Sequence, residues 1–256
     1  MSPMDTCSFL ESLGDEARIL ALKHFRTRFH IATKSDDTPV TVADREIERR
    51  LRELILSRYP LHDLVGEEEG GEIGEGITWV IDPIDGTKSF VAGLPLFGTL
   101  VAVLENRLPA YGMIEVPALH ERWIGYGNHT VLNWVPCKVS RCTHLGDARL
   151  CTTDPEIFVG EASEAFSILS RRTVRISRFG TDCYGYALLA SGHVDLVAEA
   201  GLEIYDVAAL IPVVRGAGGV VTTWSGHPVN ERFDGTIIAA ATSELHAEAL
   251  RVLGHA

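Results

Sequence analysis

Trp79-Val80-Ile81-Asp82-Pro83-Ile84-Asp85-Gly86-Thr87 is the stretch on which the reading of this chain turns. Three apolar residues end a buried strand, and the pattern then switches to acid, proline, acid, glycine and hydroxyl. Asp82 is expected where the strand stops, because Pro83 lacks the N–H that a continuing ladder requires. Asp85 follows in the turn, so two carboxylates face one small volume. Gly86 lets backbone come close to a ligand, and Thr87 is placed to open a short helix through Phe90 whose free N–H groups suit a phosphate. Paired carboxylates beside an anion site repel both each other and the anion. A hard divalent cation between them removes the conflict, and Mg²⁺ characteristically bridges carboxylates and substrate phosphate oxygens. A surface turn with solvated acids is the alternative this stretch leaves open.

Working outward, Asp63-Leu64-Val65 reads as a short strand leading into Gly66-Glu67-Glu68-Glu69. Glu67 is singled out as the first acid after that strand, and glycines at 70, 71, 74 and 76 make the following connection flexible. Thr41-Val42-Ala43-Asp44 opens a helix carrying Ile47, Leu51, Leu54 and Ile55 on one face, ended by Tyr59-Pro60. Asp44, in its first turn, reads first as a cap or dipole partner. Residues 9–29 have helical spacing, and Lys34-Ser35-Asp36-Asp37-Thr38-Pro39 reads as a mobile loop.

Downstream, residues 97–104 and 111–116 form a hairpin pattern, with a further strand at 122–126. Thr153-Asp154 caps an expected helix over 155–169, followed by a strand at 174–177, a helix at 182–190 and a strand at 193–198. Ile204-Tyr205-Asp206-Val207-Ala208-Ala209-Leu210 opens an apolar helix with Asp206 near its start, and Pro212 should kink it. Strands at 220–224 and 237–240 and a helix at 243–253 close the chain. Strands occur both in hairpins and alternating with helices, which fits an α+β fold.

At 256 residues the chain is expected to be a single catalytic unit, with lobes of about 1–140 and 141–256 sharing one cleft. A net charge of −12 without any Lys/Arg run argues against nucleic acid and anionic membranes as partners. Acids at 5, 11, 15 and 16 argue against a signal peptide, and no apolar run has membrane-spanning length. Five scattered cysteines point to a reducing cytoplasm. Cys137, Cys142, His144 and Cys151 match no compact zinc pattern.

Gly66-Glu67-Glu68, residues 79–87 and Tyr205-Asp206-Val207-Ala208-Ala209 stand in an order and spacing that resembles the inositol monophosphatase superfamily of Mg²⁺-dependent phosphatases. The resemblance covers nearly the whole chain and implies an α-β-α-β-α layered sandwich, usually a homodimer. It implies that Glu67, Asp82, the backbone carbonyl of Ile84, Asp85 and Asp206 hold two or three Mg²⁺, with Mn²⁺ or Zn²⁺ as possible substitutes. Asp44 and Thr87 match the pair that orients the attacking water. The N–H groups of Gly86 and Thr87 match the phosphate cradle, beside Lys88, which suits either the phosphate or an acid of the metal cluster. No phospho-enzyme nucleophile is then required. A dehalogenase-type phosphatase also uses an Asp-Gly-Thr turn, but its acids are spaced Asp-x-Asp, unlike Asp82 and Asp85.

Within that superfamily, Lys88-Ser89-Phe90, Glu121-Arg122-Trp123-Ile124-Gly125, Asp182-Cys183-Tyr184-Gly185-Tyr186 and Gly201-Leu202-Glu203-Ile204-Tyr205-Asp206 look like the histidinol-phosphate phosphatase branch. This implies a small phosphate ester bearing an ammonium and an imidazole, and hence acids beyond the metal ligands. Glu199 matches a substrate-contacting position; Asp182 and Glu203 are the other candidates, with helix capping or solvation as their plainer explanations. The rival ester is inositol 1-phosphate or a sugar phosphate. A non-catalytic metal or phosphate sensor is disfavoured because all the expected ligands are present.

Overall fold

Alternate residues of the central strand face different cores, and this sets the layering. In the computed structural model, which describes residues 2–27, 31–33, 39–172, 175–230 and 232–254, the chain runs α1 (Pro3–His24), β1 (Ile31–Thr33), β2 (Pro39–Thr41), α2 (Val42–Arg58), β3 (Asp63–Gly66), β4 (Ile77–Asp85) and α3 (Thr87–Ala92). It continues through β5 (Gly98–Glu105), β6 (Leu108–Val116), β7 (Glu121–Tyr126), β8 (His129–Leu132), β9 (Val135–Pro136), β10 (Arg149–Thr152) and α4 (Glu161–Arg172). Last come β11 (Ile176–Phe179), α5 (Asp182–Ala190), β12 (Leu196–Glu199), α6 (Ile204–Val207), α7 (Leu210–Gly216), β13 (Val220–Thr222), β14 (Ile237–Ala240) and α8 (Ser243–Leu253). The loop expected over residues 34–39 falls largely outside the described residues.

Strands β3 to β9 form a seven-stranded sheet in sequence order, parallel at β3–β4 and antiparallel elsewhere. A five-stranded sheet has the order β11-β10-β12-β14-β13. On one face of the large sheet Trp79, Ile81, Val101 and Val103 pack against Leu10, Leu13, Ile47 and Leu51 of α1 and α2. On the other face Val80, Leu100, Ala102 and Ile114 meet Tyr186, Ala187 and Val213 of α5 and α7, which also meet Val197 and Ala239 of the small sheet. The small sheet's far face, with Leu196, Ala198 and Ile238, packs on Phe166, Leu169, Leu245 and Ala249 of α4 and α8. The strand period of two therefore yields an α-β-α-β-α sandwich. Gly112 and Gly125 let α7 lie directly on β6 and β7: a Cβ at either would overlap the backbone of residues 209–213.

An ion-pair network ties α1 to the large sheet. Glu115 on β6 takes Arg18 at 2.6 Å and Arg122 of β7, whose guanidinium also reaches Glu11 and, at 2.8 Å, Asp15.

Four sequence expectations need correction. Strand β4 does not stop at Asp82 but continues to Asp85 through a bulge: Asp82 pairs with Leu100 and Asp85 with Gly98, one residue more than the partner strand supplies. Pro83 sits in that bulge, where no ladder N–H is demanded of it. The first helix begins at Pro3 and ends at His24, short of residue 29. The helix expected over 155–169 divides into a single turn, Pro155–Ile157, capped by Asp154, and α4; Gly160 lies between them with φ 57°. The helix at 204 also breaks: α6 ends at Val207 and α7 starts at Leu210, as Pro212 has no N–H to give the carbonyl of Ala208.

Candidate active site

The described residues hold two groups of three carboxylates close enough to share a cation. The first comprises Asp44, Glu67 and Glu68, with one oxygen from each lying within 4.8 Å of the others. Asp44 comes from the first turn of α2, and the two glutamates from the loop leaving β3. That loop is held by Glu48, one helical turn beyond Asp44 and 0% exposed. Its carboxylate accepts the backbone N–H of Glu68 at 2.7 Å and of Glu69 at 3.0 Å, and pairs with Arg52 at 2.8 Å. Sequence reading stopped at Glu67 and missed both Glu68 and Glu48. The i, i+4 spacing of Asp44 and Glu48, two acids on the apolar side of an amphipathic helix, was the available signal.

Asp82, Asp85 and Asp206 form the second group, again with oxygens within 4.8 Å of one another. The β4 bulge presents the first two, and the short helix α6 supplies the third. Burial and then the charge of Glu67 push the Asp82 carboxyl well above the usual carboxylate range. Burial also pushes Asp206 up to about 7, and with the charge of Asp182 it raises Asp85 strongly. Asp82 Oδ1 is buried without a hydrogen-bond partner. Crowded carboxylates, hard oxygen donors and an orphaned buried oxygen together fit a divalent cation, which would supply the missing partner and cancel the repulsion. The carbonyl of Ile84 accepts the Thr87 hydroxyl at 3.0 Å and keeps a second lone pair.

Gly86 caps α3 with φ 80°, a conformation costly for residues with a Cβ, and a Cβ there would lie 3.0 Å from Asp182 Oδ2. Asp182 itself has φ 44° and accepts the Ser89 hydroxyl at 3.0 Å. The N–H at the start of α5 is met instead by Asp85, whose Oδ2 accepts from Cys183 N at 2.6 Å. Asp182 therefore does not cap its helix. It lines a cavity of about 150 Å³ with Asp85, Thr153, Tyr186, Glu199 and Asp206. Burial pushes Glu199 up to about 7. Glu203 faces a neighbouring hollow of about 390 Å³ shared with Phe233 and Asp234, and joins Asp206 in a capping box on α6. Lys88 is exposed, and its ion pair is with Asp154 at 4.0 Å rather than with an acid of either group. No described helix is long and apolar enough to cross a membrane.

The family model for the inositol monophosphatase family matches residues 5–255. The chain is 43% identical over 255 residues to the chloroplastic bifunctional phosphatase IMPL2 of Arabidopsis thaliana, covering 94% of this chain and 73% of that one. It is 37% identical over 224 residues to a histidinol-phosphatase of Mycobacterium tuberculosis, covering 84% and 86% of the two chains. The solved structure of an inositol monophosphatase from Zymomonas mobilis matches with a TM-score of 0.90 at 36% identity, over 99% of this chain and 100% of that one. A phosphate monoester hydrolase of metal-dependent type, the chain belongs to the inositol monophosphatase family.

Proposed function

We propose that this enzyme hydrolyses histidinol phosphate to histidinol and phosphate, using Mg²⁺ held by Glu67, Asp82, the Ile84 carbonyl, Asp85 and Asp206. Bound divalent cations would polarise the ester, stabilise the departing alkoxide and lower the pKa of water. Around them the chain's own groups divide the work. Asp44 and Thr87 orient the attacking water, with Asp44 taking its proton. The N–H groups of Gly86 and Thr87 receive phosphate oxygens, and Lys88 adds positive charge at the rim. The organic half of the ester occupies the cavity beyond.

The observation that carries the choice of ester is the character of that cavity. Asp182 and Glu199, both buried, line its wall in addition to the metal-binding acids. An ammonium or imidazolium brings buried carboxylates a counter-charge, whereas a neutral polyol offers only hydroxyls. The name of the Mycobacterium tuberculosis relative supports the same ester. A second reading, inositol phosphate, is favoured by the Zymomonas mobilis neighbour and by the ability of Glu199 to accept a hydroxyl.

Phosphate release from histidinol phosphate and inositol 1-phosphate, with Mg²⁺ and with chelator, separates these readings. Chelator-sensitive turnover favouring histidinol phosphate is expected. Preference for the inositol ester would retain the hydrolase and discard the ammonium argument.

A further inference from the structure

Glu199 ends β12, is 3% exposed, and is held on both oxygens. Oε1 accepts from Thr153 twice, from the backbone N at 2.9 Å and from the hydroxyl at 2.5 Å. Oε2 accepts from the Tyr186 hydroxyl at 2.8 Å. A carboxylate offers about four acceptor directions, so these bonds leave one, on Oε2. Tyr186, one turn along α5 from Asp182, is 0% exposed, with its ring in the core between the two sheets. Both residues line the cavity assigned above to the organic half of the ester.

A bond serving packing alone would be an odd choice at this depth. Phenylalanine at 186 and an apolar residue at 199 would fill the same core without the desolvation of a carboxylate. The arrangement makes sense when Glu199 must be kept in one rotamer with one direction open. A glutamate with three free torsions would otherwise lose that freedom each time a ligand bound.

We propose that Tyr186 is a positioning residue for substrate selection. Its hydroxyl clamps Glu199 so that a single acceptor direction remains for one N–H or O–H of the substrate alcohol, an ammonium on the proposed ester. The phosphate half does not sense the clamp, because the cradle at Gly86 and Thr87 shares no group with it. The proposal rests on the reading that the alcohol half fills this cavity.

Tyr186→Phe removes one hydroxyl and keeps the ring. With the better of the two esters, KM is expected to rise about tenfold while kcat stays within about twofold, the pattern of lost uniform binding. The inhibition constant of inorganic phosphate should not move. In a Glu199→Gln background, the same substitution should change KM by less than about twofold, because neighbours that act through one contact are not additive. An unchanged KM in an active Tyr186→Phe enzyme would overturn the proposal alone. So would a fall in kcat, phosphate affinity and Tm together, which would mark Tyr186 as structural. A wild-type enzyme inactive on both esters would instead defeat the functional reading, and this proposal with it.

Discussion

Asp44 is 1% exposed, yet an acid serving only the dipole of α2 would be better left in water. Its carboxylate instead converges with those of Glu67 and Glu68. Asparagine there preserves the shape, but turns one acceptor oxygen into an NH2 donor and cannot take a proton. Asp44→Asn is expected to lower kcat by about 10²–10⁴-fold, the range general-base catalysis contributes, while the rise in Tm on adding Mg²⁺ is largely kept. Turnover at the wild-type rate would remove Asp44 from the reaction.

At the scale of elements, the loop after β3 is positioned by a side chain from another element. Glu48→Ala takes one partner from half-buried Arg52, which keeps Glu69 and the Gly70 carbonyl, and leaves the N–H groups of Glu68 and Glu69 without that acceptor. Leaving part-buried N–H groups unmet costs about 1–3 kcal/mol, so urea unfolding should show a loss of that order. A loss below about 1 kcal/mol would mean that the loop holds itself in place. Such tertiary supports are what the sequence conceals. The acids at 67, 82 and 85 stand out because each follows an apolar strand pattern, whereas Asp44 and Asp206 sit at helix starts and are singled out through the family resemblance. The helix at 182–190 was legible to the residue. Glu48 looks like any charged residue of a helix, and its role depends on a loop some twenty residues away. The β4 bulge was illegible for another reason: proline reads as a stop until a neighbouring strand shows that the pairing resumes. At residues 158–160, composition continued a helical pattern that a left-handed Gly160 interrupts.

For the whole molecule, the converging acids make stability a function of both metal and pH. Unfolded carboxylates ionise near pH 4, whereas Asp206 holds its proton until about 7 and Asp82 is also raised. The metal-free fold therefore binds more protons than the unfolded chain across this window, and it loses stability as pH climbs from about 4 to 7. A divalent cation displaces those protons, so its stabilising effect should grow with pH. Tm measured with Mg²⁺ and with chelator should differ more at about pH 7.5 than at about pH 5.5. The lowered His62 and His246 titrate in both arms and cancel. An equal gap at both pH values would mean that these acids do not hold the ion. One contact within this assembly has an evolutionary consequence. Asp85 meets α5 chiefly at Cys183, whose backbone N–H it accepts at 2.6 Å beside the thiol. Any residue except proline at 183 supplies that N–H. On the functional reading above, descendants of this gene can rewrite the stretch that chooses the ester, at Asp182, Tyr186 and Glu199, while the backbone half of the joint to the hydrolytic machinery is retained.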